Sequence, residues 1–293
     1  MPNLNSKHLI IQKNMIKSIY FLLLILLNTI TFSCSSEDNS ESEEIELTQN
    51  KLVKIEKVND TFKANYTYNS ENRLKNWTGT QPNFSYEIEL VYDGNKKIIE
   101  NHYQETGSRT YTSDTYFKYN NDNNLISYDD VNLTYNGHVI TATGTIEGHQ
   151  NATIELETNN VGLITKLTEN DNYTVFDYNL DGNLTIAKNY NNNDILLSTY
   201  TIEYDQNINP FYGQMKSIYV ERFIEFFYPF EGIYIGGFEG YSFPFQKNNI
   251  ISISENSTEF VSYNYTYDTE NYPLNVNENY STDIYEFNIV YYD

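Results

Sequence analysis

The chain has 293 residues, a formal net charge of −22 at pH 7, a sequence pI of about 4.4 and a single cysteine. So acidic a protein is repelled by nucleic acid and by anionic lipid headgroups, and we exclude both as partners. One cysteine also excludes an intramolecular disulfide, so the folded state must depend on apolar burial and backbone hydrogen bonds.

Residues 1–33 are predicted to be a lipoprotein signal peptide. Three lysines precede the apolar run Ile19–Leu27, which is too short to cross a hydrocarbon core of about 30 Å. Met15 makes a more ordinary start for such a segment than Met1, and the sequence leaves both starts open.

Cys34 is the predicted lipidation site. It follows Ser33 and the apolar run as in a loose lipobox, where a diacylglyceryl thioether forms on the cysteine, although Phe32 stands where a small residue is usual. Several acyl chains on one residue anchor a protein durably, because each buried CH₂ contributes about 0.8 kcal/mol. We therefore predict that the protein contacts the membrane through an acyl anchor on Cys34; the alternative is an incidental buried thiol.

Residues 34–50 form a predicted acidic, serine- and glutamate-rich tether. Ser35–Glu44 has almost no apolar side chain to bury and is expected to stay extended. Serine and acidic residues directly after the lipid-bearing cysteine resemble the surface-export signal of Bacteroidetes lipoproteins. This resemblance implies an outer-membrane protein exposed on the cell surface, with retention facing the periplasm as the alternative.

Residues 51–293 are predicted to be a domain of repeated β-hairpins. In the unit Thr174–Thr185, Phe176 and Tyr178 share one face of a strand, as period-2 alternation requires. Asp181-Gly182 then supplies the positive φ of a tight turn. An aromatic residue before the turn recurs, with many of the intervals close to 24 residues, at Tyr68, Tyr92, Tyr119, Tyr135, Tyr178, Tyr204 and Tyr267.

A family resemblance rests on these copies, among them Val91–Asn95, Leu133–His138 and Tyr204–Phe211. Each has an aromatic strand, Asp or Asn, a short polar turn, Asn or Gly, and an apolar residue. They resemble the tyrosine-aspartate hairpin repeats of bacterial surface proteins. The chain as a whole resembles lipoproteins of unknown function from Bacteroidetes with a porin-like β domain. The resemblance implies a large antiparallel sheet that curls, and it implies no activity.

Strand alternation predicts one packed face and one solvated face. In Tyr86–Tyr92 one side carries Tyr86, Ile88, Leu90 and Tyr92, while Glu87 and Glu89 share the other. A membrane-spanning porin needs an apolar lipid-facing band with aromatic girdles, so we predict that the sheet does not span the membrane. The predicted fold is all-β, a single antiparallel meander of about eight to ten hairpins, strongly curled or barrel-like, whose closure the sequence leaves open.

One short helix is predicted near residues 214–228. Apolar residues are spaced there by threes and fours, and Pro229 would end the helix. We expect it to plug the open end or the concave face of the sheet.

The glycine- and aromatic-rich stretch Phe230–Tyr241 is the candidate ligand-binding loop. Tyr234, Phe238 and Tyr241 present flat rings that suit sugars or apolar side chains. Packing of this loop beneath the helix is the favoured interpretation, with ligand binding as the alternative.

A calcium loop is the weak metal candidate, with Asp177, Asn179 and Asp181 at alternate positions. Lys188 stands where a bidentate glutamate is required, so a simple turn is favoured and no metal or other cofactor is predicted. The histidines lack metal-ligand spacing, and no catalytic motif is recognisable.

The predicted function is therefore a non-enzymatic structural or binding role for a lipid-anchored surface protein, with a glycan or a protein as ligand. Two alternatives stay open: a glycan-binding module, and a glycan hydrolase that uses two carboxylates about 5–10 Å apart.

Overall fold

The computed structural model describes residues 51–59, 61–146, 148–170, 172–227, 244–280 and 283–293. The strands in these ranges are β1 Val53–Val58, β2 Phe62–Tyr68, β3 Leu74–Gln81, β4 Phe84–Tyr92, β5 Ile98–Thr106, β6 Thr110–Tyr119, β7 Leu125–Tyr128, β8 Val131–Asn136, β9 Val139–Ile146, β10 His149–Thr158, β11 Ile164–Glu169, β12 Asn172–Tyr178, β13 Leu184–Tyr190, β14 Leu196–Ile208, β15 Asn248–Glu255, β16 Thr258–Tyr267, β17 Pro273–Tyr280 and β18 Asp283–Tyr291.

These 18 strands form one antiparallel sheet in which each strand pairs with its neighbours in sequence. β1 also pairs with β18, with Lys57 opposite Asn288 and Val58 opposite Phe287. This pairing closes the sheet into a barrel, so the predicted meander is confirmed and its closure is established.

One loop type recurs in seven hairpins. In the β12–β13 loop, the side-chain oxygen of Asn179 accepts hydrogen bonds from the backbone N–H of Asp181 and of Asn183, each at 3.0 Å. Gly182 donates to the Asn179 carbonyl and has φ +80°. A type I turn followed by a left-handed residue and a bulge gives this geometry. The loops begin at Asn69, Asp93, Asn120, Asn159, Asn179, Asn191 and Asp268.

The predicted turn at Asp181-Gly182 is confirmed in its positive φ, but the loop is longer than a two-residue turn. It begins at Asn179, because the asparagine side chain, rather than the dipeptide, organises the backbone amides. A two-residue loop, Gly137-His138, joins β8 to β9, with Asn136 paired to Val139.

Tyrosine hydroxyls connect neighbouring hairpins at one end of the barrel. Each donates to a carbonyl at or near the start of the preceding strand. Burial keeps the phenols neutral, and it raises the pKa of Tyr135, for example, to about 12. The pairs are Tyr92 to Leu74, Tyr119 to Ile98, Tyr135 to Leu125, Tyr178 to Ile164, Tyr204 to Leu184, Tyr265 to Ile250 and Tyr291 to Pro273, at 2.6–2.8 Å.

The predicted helix near 214–228 is confirmed with a later start. A 3-10 turn over Lys216–Ile218 leads into helix α1, Tyr219–Phe227. Met215 has φ +62°, a left-handed conformation that a right-handed helix cannot include, so the helix begins after it. Within the described ranges, no helix has the length and apolar character needed to cross a bilayer.

Helix α1 packs against the side chains that line the barrel. Ile218, Phe223 and Ile224 are buried, and the Phe223 ring lies 4.9 Å from the Phe176 ring of β12. The helix belongs to the β14–β15 connection, so it lies at the barrel end where even-numbered strands lead into odd-numbered ones.

The outer face of the barrel is polar, as the alternation predicts. Glu87 accepts a hydrogen bond from Asn76 across the strands at 2.6 Å, and Thr201 and Glu203 are exposed. Apolar residues of the same strands, such as Leu90, are buried in the interior.

The Tyr92→Phe variant tests the tyrosine connections. Removing the hydroxyl leaves the half-buried carbonyl of Leu74 without this donor, so we expect a loss of about 1–2 kcal/mol in the free energy of unfolding, measured by urea denaturation. Tyr116→Phe is the control, because Tyr116 is 51% exposed on the outer face. Equal losses in the two variants would contradict the structural role.

Candidate ligand site in the barrel lumen

One end of the barrel is filled by a segment that we call the plug, residues 209–227 and 244–247. Its side chains accept hydrogen bonds from the backbone N–H of the residue that follows a hairpin loop. The bonds run from Leu74 to Gln214, from Ile98 to Ser217, from Ile164 to the Tyr219 hydroxyl and from Leu184 to Gln246, at 2.8–3.2 Å. The plug is thus held by hairpins that are far apart around the barrel.

The opposite end, which we call the mouth, is lined by partly exposed side chains. Next to the plug, the lumen-facing Tyr66 is buried, with its ring 5.2 Å from that of Phe211 in the plug. At the mouth, Tyr111 and Tyr285 are 49% and 41% exposed, although their registers, opposite Glu105 and Glu278, place them on the lumen side. Among the described residues, these two lumen-side rings are therefore accessible to solvent at the mouth.

Tyrosine–carboxylate hydrogen bonds line the lumen. Five glutamates each accept from a tyrosine hydroxyl, which gives the interior both hydrogen-bond acceptors and flat rings. The pairs are Tyr66–Glu56, Tyr103–Glu105, Tyr128–Glu225, Tyr200–Glu255 and Tyr263–Glu278. Glu56 is fully buried, whereas Glu105 lies among the partly exposed rings of the mouth.

Glu278 is a lumen carboxylate whose pKa is raised well above its ordinary value. Burial raises its pKa to about 7, and the hydrogen bond from Tyr263 opposes this rise. A carboxyl group with such a pKa can act as a general acid near neutral pH. Its cross-strand neighbours are Tyr263 on β16 and Tyr285 on β18, so the register sets tyrosines rather than a second acid directly beside it.

A cavity of about 360 Å³ lies between helix α1 and the short β7–β8 hairpin. The Arg222 guanidinium forms an ion pair with Glu221 there, with Nε 2.6 Å from a carboxylate oxygen. Tyr128 donates to Glu225 at 2.9 Å beside them. The cavity wall is therefore polar and carries both signs of charge.

The residues of the weak calcium candidate have structural contacts in and beside the β12–β13 hairpin. The Asn179 side chain organises the loop, and Asp181 lies 2.6 Å from the Lys247 ammonium. Asp177 lies 3.9 Å from Lys188 across the strands. Among the described residues, no three His, Cys, Asp or Glu side chains are grouped closely enough to hold a metal ion.

Cys34 and the candidate ligand loop with Tyr234, Phe238 and Tyr241 lie outside the described residues, and they stay predictions. The lumen glutamates are not among the site residues predicted from the sequence. A usable signal exists: Glu278 is in phase with the buried Val276 on β17, so its side chain falls on the packed face.

No family model matches the chain, and no curated protein is significantly similar to it. Among solved structures, a porin-like protein from Bacteroides uniformis is similar at 12% identity and a TM-score of 0.37, covering 82% of this chain and 98% of its own. A porin-like protein from Bacteroides vulgatus is similar at 14% identity and a TM-score of 0.32, covering 83% and 99%. At these scores neither likeness carries an inference; the barrel rests on the strand pairing itself.

Gln246→Met tests the plug contacts. Gln246 is buried and accepts from the Leu184 N–H at 2.8 Å and from the Tyr204 hydroxyl at 3.2 Å. An apolar side chain of similar size leaves the buried Leu184 N–H without this acceptor, while the Tyr204 hydroxyl keeps the Leu184 carbonyl, so we expect about 2 kcal/mol less stability to urea. Gln104→Met, on the exposed outer face, is the control. Unchanged stability of Gln246→Met would show that the plug is not held by this bond.

Glu278→Gln tests the buried carboxyl. Because the folded-state pKa is about 7 and the ordinary value is 4.5, the unfolded chain loses the proton first. Stability should fall as pH rises from about 4.5 to about 7 and then stay constant. Glutamine does not ionise, so its melting temperature should match that of the wild type at pH 4 and exceed it at pH 8.

Glu259→Gln, at an exposed position on β16, controls for the lost negative charge. The same shift in melting temperature at both pH values for Glu278→Gln would contradict the raised pKa.

Proposed function

We propose that the protein is a lipid-anchored cell-surface protein with a non-enzymatic binding role, whose ligand enters the barrel through the mouth. The observation that carries this proposal is the asymmetry of the barrel. Hydrogen-bonded plug side chains fill one end, while tyrosines such as Tyr111 are exposed at the other.

The polar outer face supports a separate anchor. A barrel that crosses a bilayer presents an apolar band to lipid, whereas Glu87 and Glu203 face outward here. Membrane attachment then requires a device outside the barrel, and the lipobox-like stretch before Cys34 supplies one.

The lumen carboxylates support binding over catalysis. Each of the five accepts a hydrogen bond from a tyrosine, an arrangement suited to fixed polar contacts with a ligand. The second candidate function is glycan hydrolysis, which the pKa of about 7 at Glu278 favours.

Metabolic labelling with an alkyne fatty acid tests the anchor. Full-length protein expressed in a Bacteroidetes host should take up the label and remain in the membrane fraction, because the thioether forms on Cys34. Cys34→Ser, which retains size and polarity but cannot form the thioether, should be unlabelled. Equal labelling of the two proteins, or an unlabelled wild type, would refute the anchor.

Protease shaving of intact cells tests surface exposure. Loss of the protein from intact cells, with a periplasmic marker left whole, is the expected result. Protection of the protein until the outer membrane is broken would place it on the periplasmic side.

A further inference from the structure

Three nearly parallel aromatic rings line the wall of the lumen near the mouth. They belong to Phe62 of β2, Tyr86 of β4 and Tyr103 of β5, and all three are partly exposed. The ring centroids of Phe62 and Tyr86 are 6.3 Å apart at an interplanar angle of 23°, and those of Tyr86 and Tyr103 are 6.3 Å apart at 22°. We call these three rings the platform. Tyr111 of β6 extends it toward the solvent, with its ring 6.2 Å from that of Tyr103.

Gly79 of β3 allows the platform to lie against the wall. Strand β3 runs between β2 and β4, and Gly79 is paired with Tyr86. A Cβ atom at position 79 would lie only 2.1 Å from a ring carbon of Tyr86 and 2.8 Å from one of Phe62. The Tyr86 ring therefore rests on the backbone of Gly79, and its long dimension lies along the sheet rather than perpendicular to it.

Polar groups border the platform. Glu105 stands opposite both Tyr86 and Tyr111 in the strand registers and accepts a hydrogen bond from Tyr103 at 2.8 Å. Arg109, which is largely exposed, places Nε 3.6 Å from the Glu105 carboxylate. Flat apolar faces with an acceptor and a donor at their edge match the two sides of a sugar ring, whose C–H groups stack on aromatic rings and whose hydroxyls form hydrogen bonds.

The geometry points to the platform as a binding site for a short stretch of neutral, unbranched hexose oligosaccharide, and we propose this ligand class. The net charge of −22 disfavours anionic glycans. The spacing of the rings is of the order of one hexose residue, so successive sugars can lie on successive rings. This inference deepens the proposed binding role, but it concerns the lumen alone and does not depend on the acyl anchor.

Tryptophan fluorescence offers a direct readout. The single tryptophan of the chain, Trp77, is two residues from Gly79 and pairs with Ile88 on β4. Purified full-length protein is titrated with hexaoses of the cello-, laminari-, manno- and malto- series, and with oligogalacturonate as the charged comparison. The expected result is saturable binding of at least one neutral hexaose and weaker binding of oligogalacturonate.

Gly79→Ala is the decisive variant, because it displaces the Tyr86 ring without removing any aromatic side chain. Gly94→Ala is its matched control, since a Cβ there meets nothing within 4 Å. Loss of one stacked ring should weaken binding about tenfold in Gly79→Ala and in Tyr111→Ala, with Gly94→Ala unchanged. Tyr111 is 49% exposed, so its truncation tests the platform even if the Gly79 variant folds poorly.

Several results would overturn the proposal: no neutral hexaose binding, equal or tighter binding of oligogalacturonate, or wild-type affinity in Tyr111→Ala and in folded Gly79→Ala. Each is distinct from failure of the proposed anchor, because lipid labelling and protease shaving are independent of oligosaccharide binding.

Discussion

The structure depends on how the backbone is satisfied where each hairpin loop ends. The asparagine- or aspartate-led loop introduces a bulge, and the residue after it uses partners outside the regular ladder. At Leu184 the carbonyl accepts from Tyr204 and the N–H donates to Gln246. A buried peptide group without partners costs on the order of 1–3 kcal/mol, and the loop recurs around the barrel. The tyrosine hydroxyls satisfy the carbonyls at these positions, and the plug side chains satisfy the N–H groups.

This requirement explains why the two ends of the barrel differ. The even-to-odd loops carry most of the bulges, and the plug lies where their amides and the tyrosine hydroxyls converge. Pro273 fits the same logic, because it follows a loop, receives the Tyr291 hydroxyl at its carbonyl and has no N–H to satisfy. Helix α1 also reaches the β7–β8 hairpin at the other end, where Tyr128 donates to Glu225. Away from that contact, lumen-facing groups at this end, such as Tyr111 and Glu105, are partly exposed. The proposed ligand site is thus a consequence of where the hairpin chemistry is concentrated.

Local patterns predicted much of this fold. Alternation in Tyr86–Tyr92 predicted the packed and solvated faces, and the threes and fours after Gln214 predicted the helix. The patterns did not predict hydrogen bonds between residues that are far apart in the chain. Gln214 accepts from Leu74, 140 positions away, and Gln246 accepts from Leu184, 62 positions away. The later start of the helix reflects the left-handed Met215, which its residue type does not announce. Likewise, the sequence alone gives no reason for a glycine within strand β3. The structure supplies one, because the Tyr86 ring lies on the backbone of Gly79.

Amide hydrogen exchange measures the central constraint directly. If plug side chains satisfy the amides that follow the loops, the N–H groups of Leu74, Ile98, Ile164 and Leu184 should exchange as slowly as those of the paired strands around them. Exchange as fast as that of an amide in an exposed loop residue such as Ser70 would show that these groups are open to water and that the plug does not hold the barrel end.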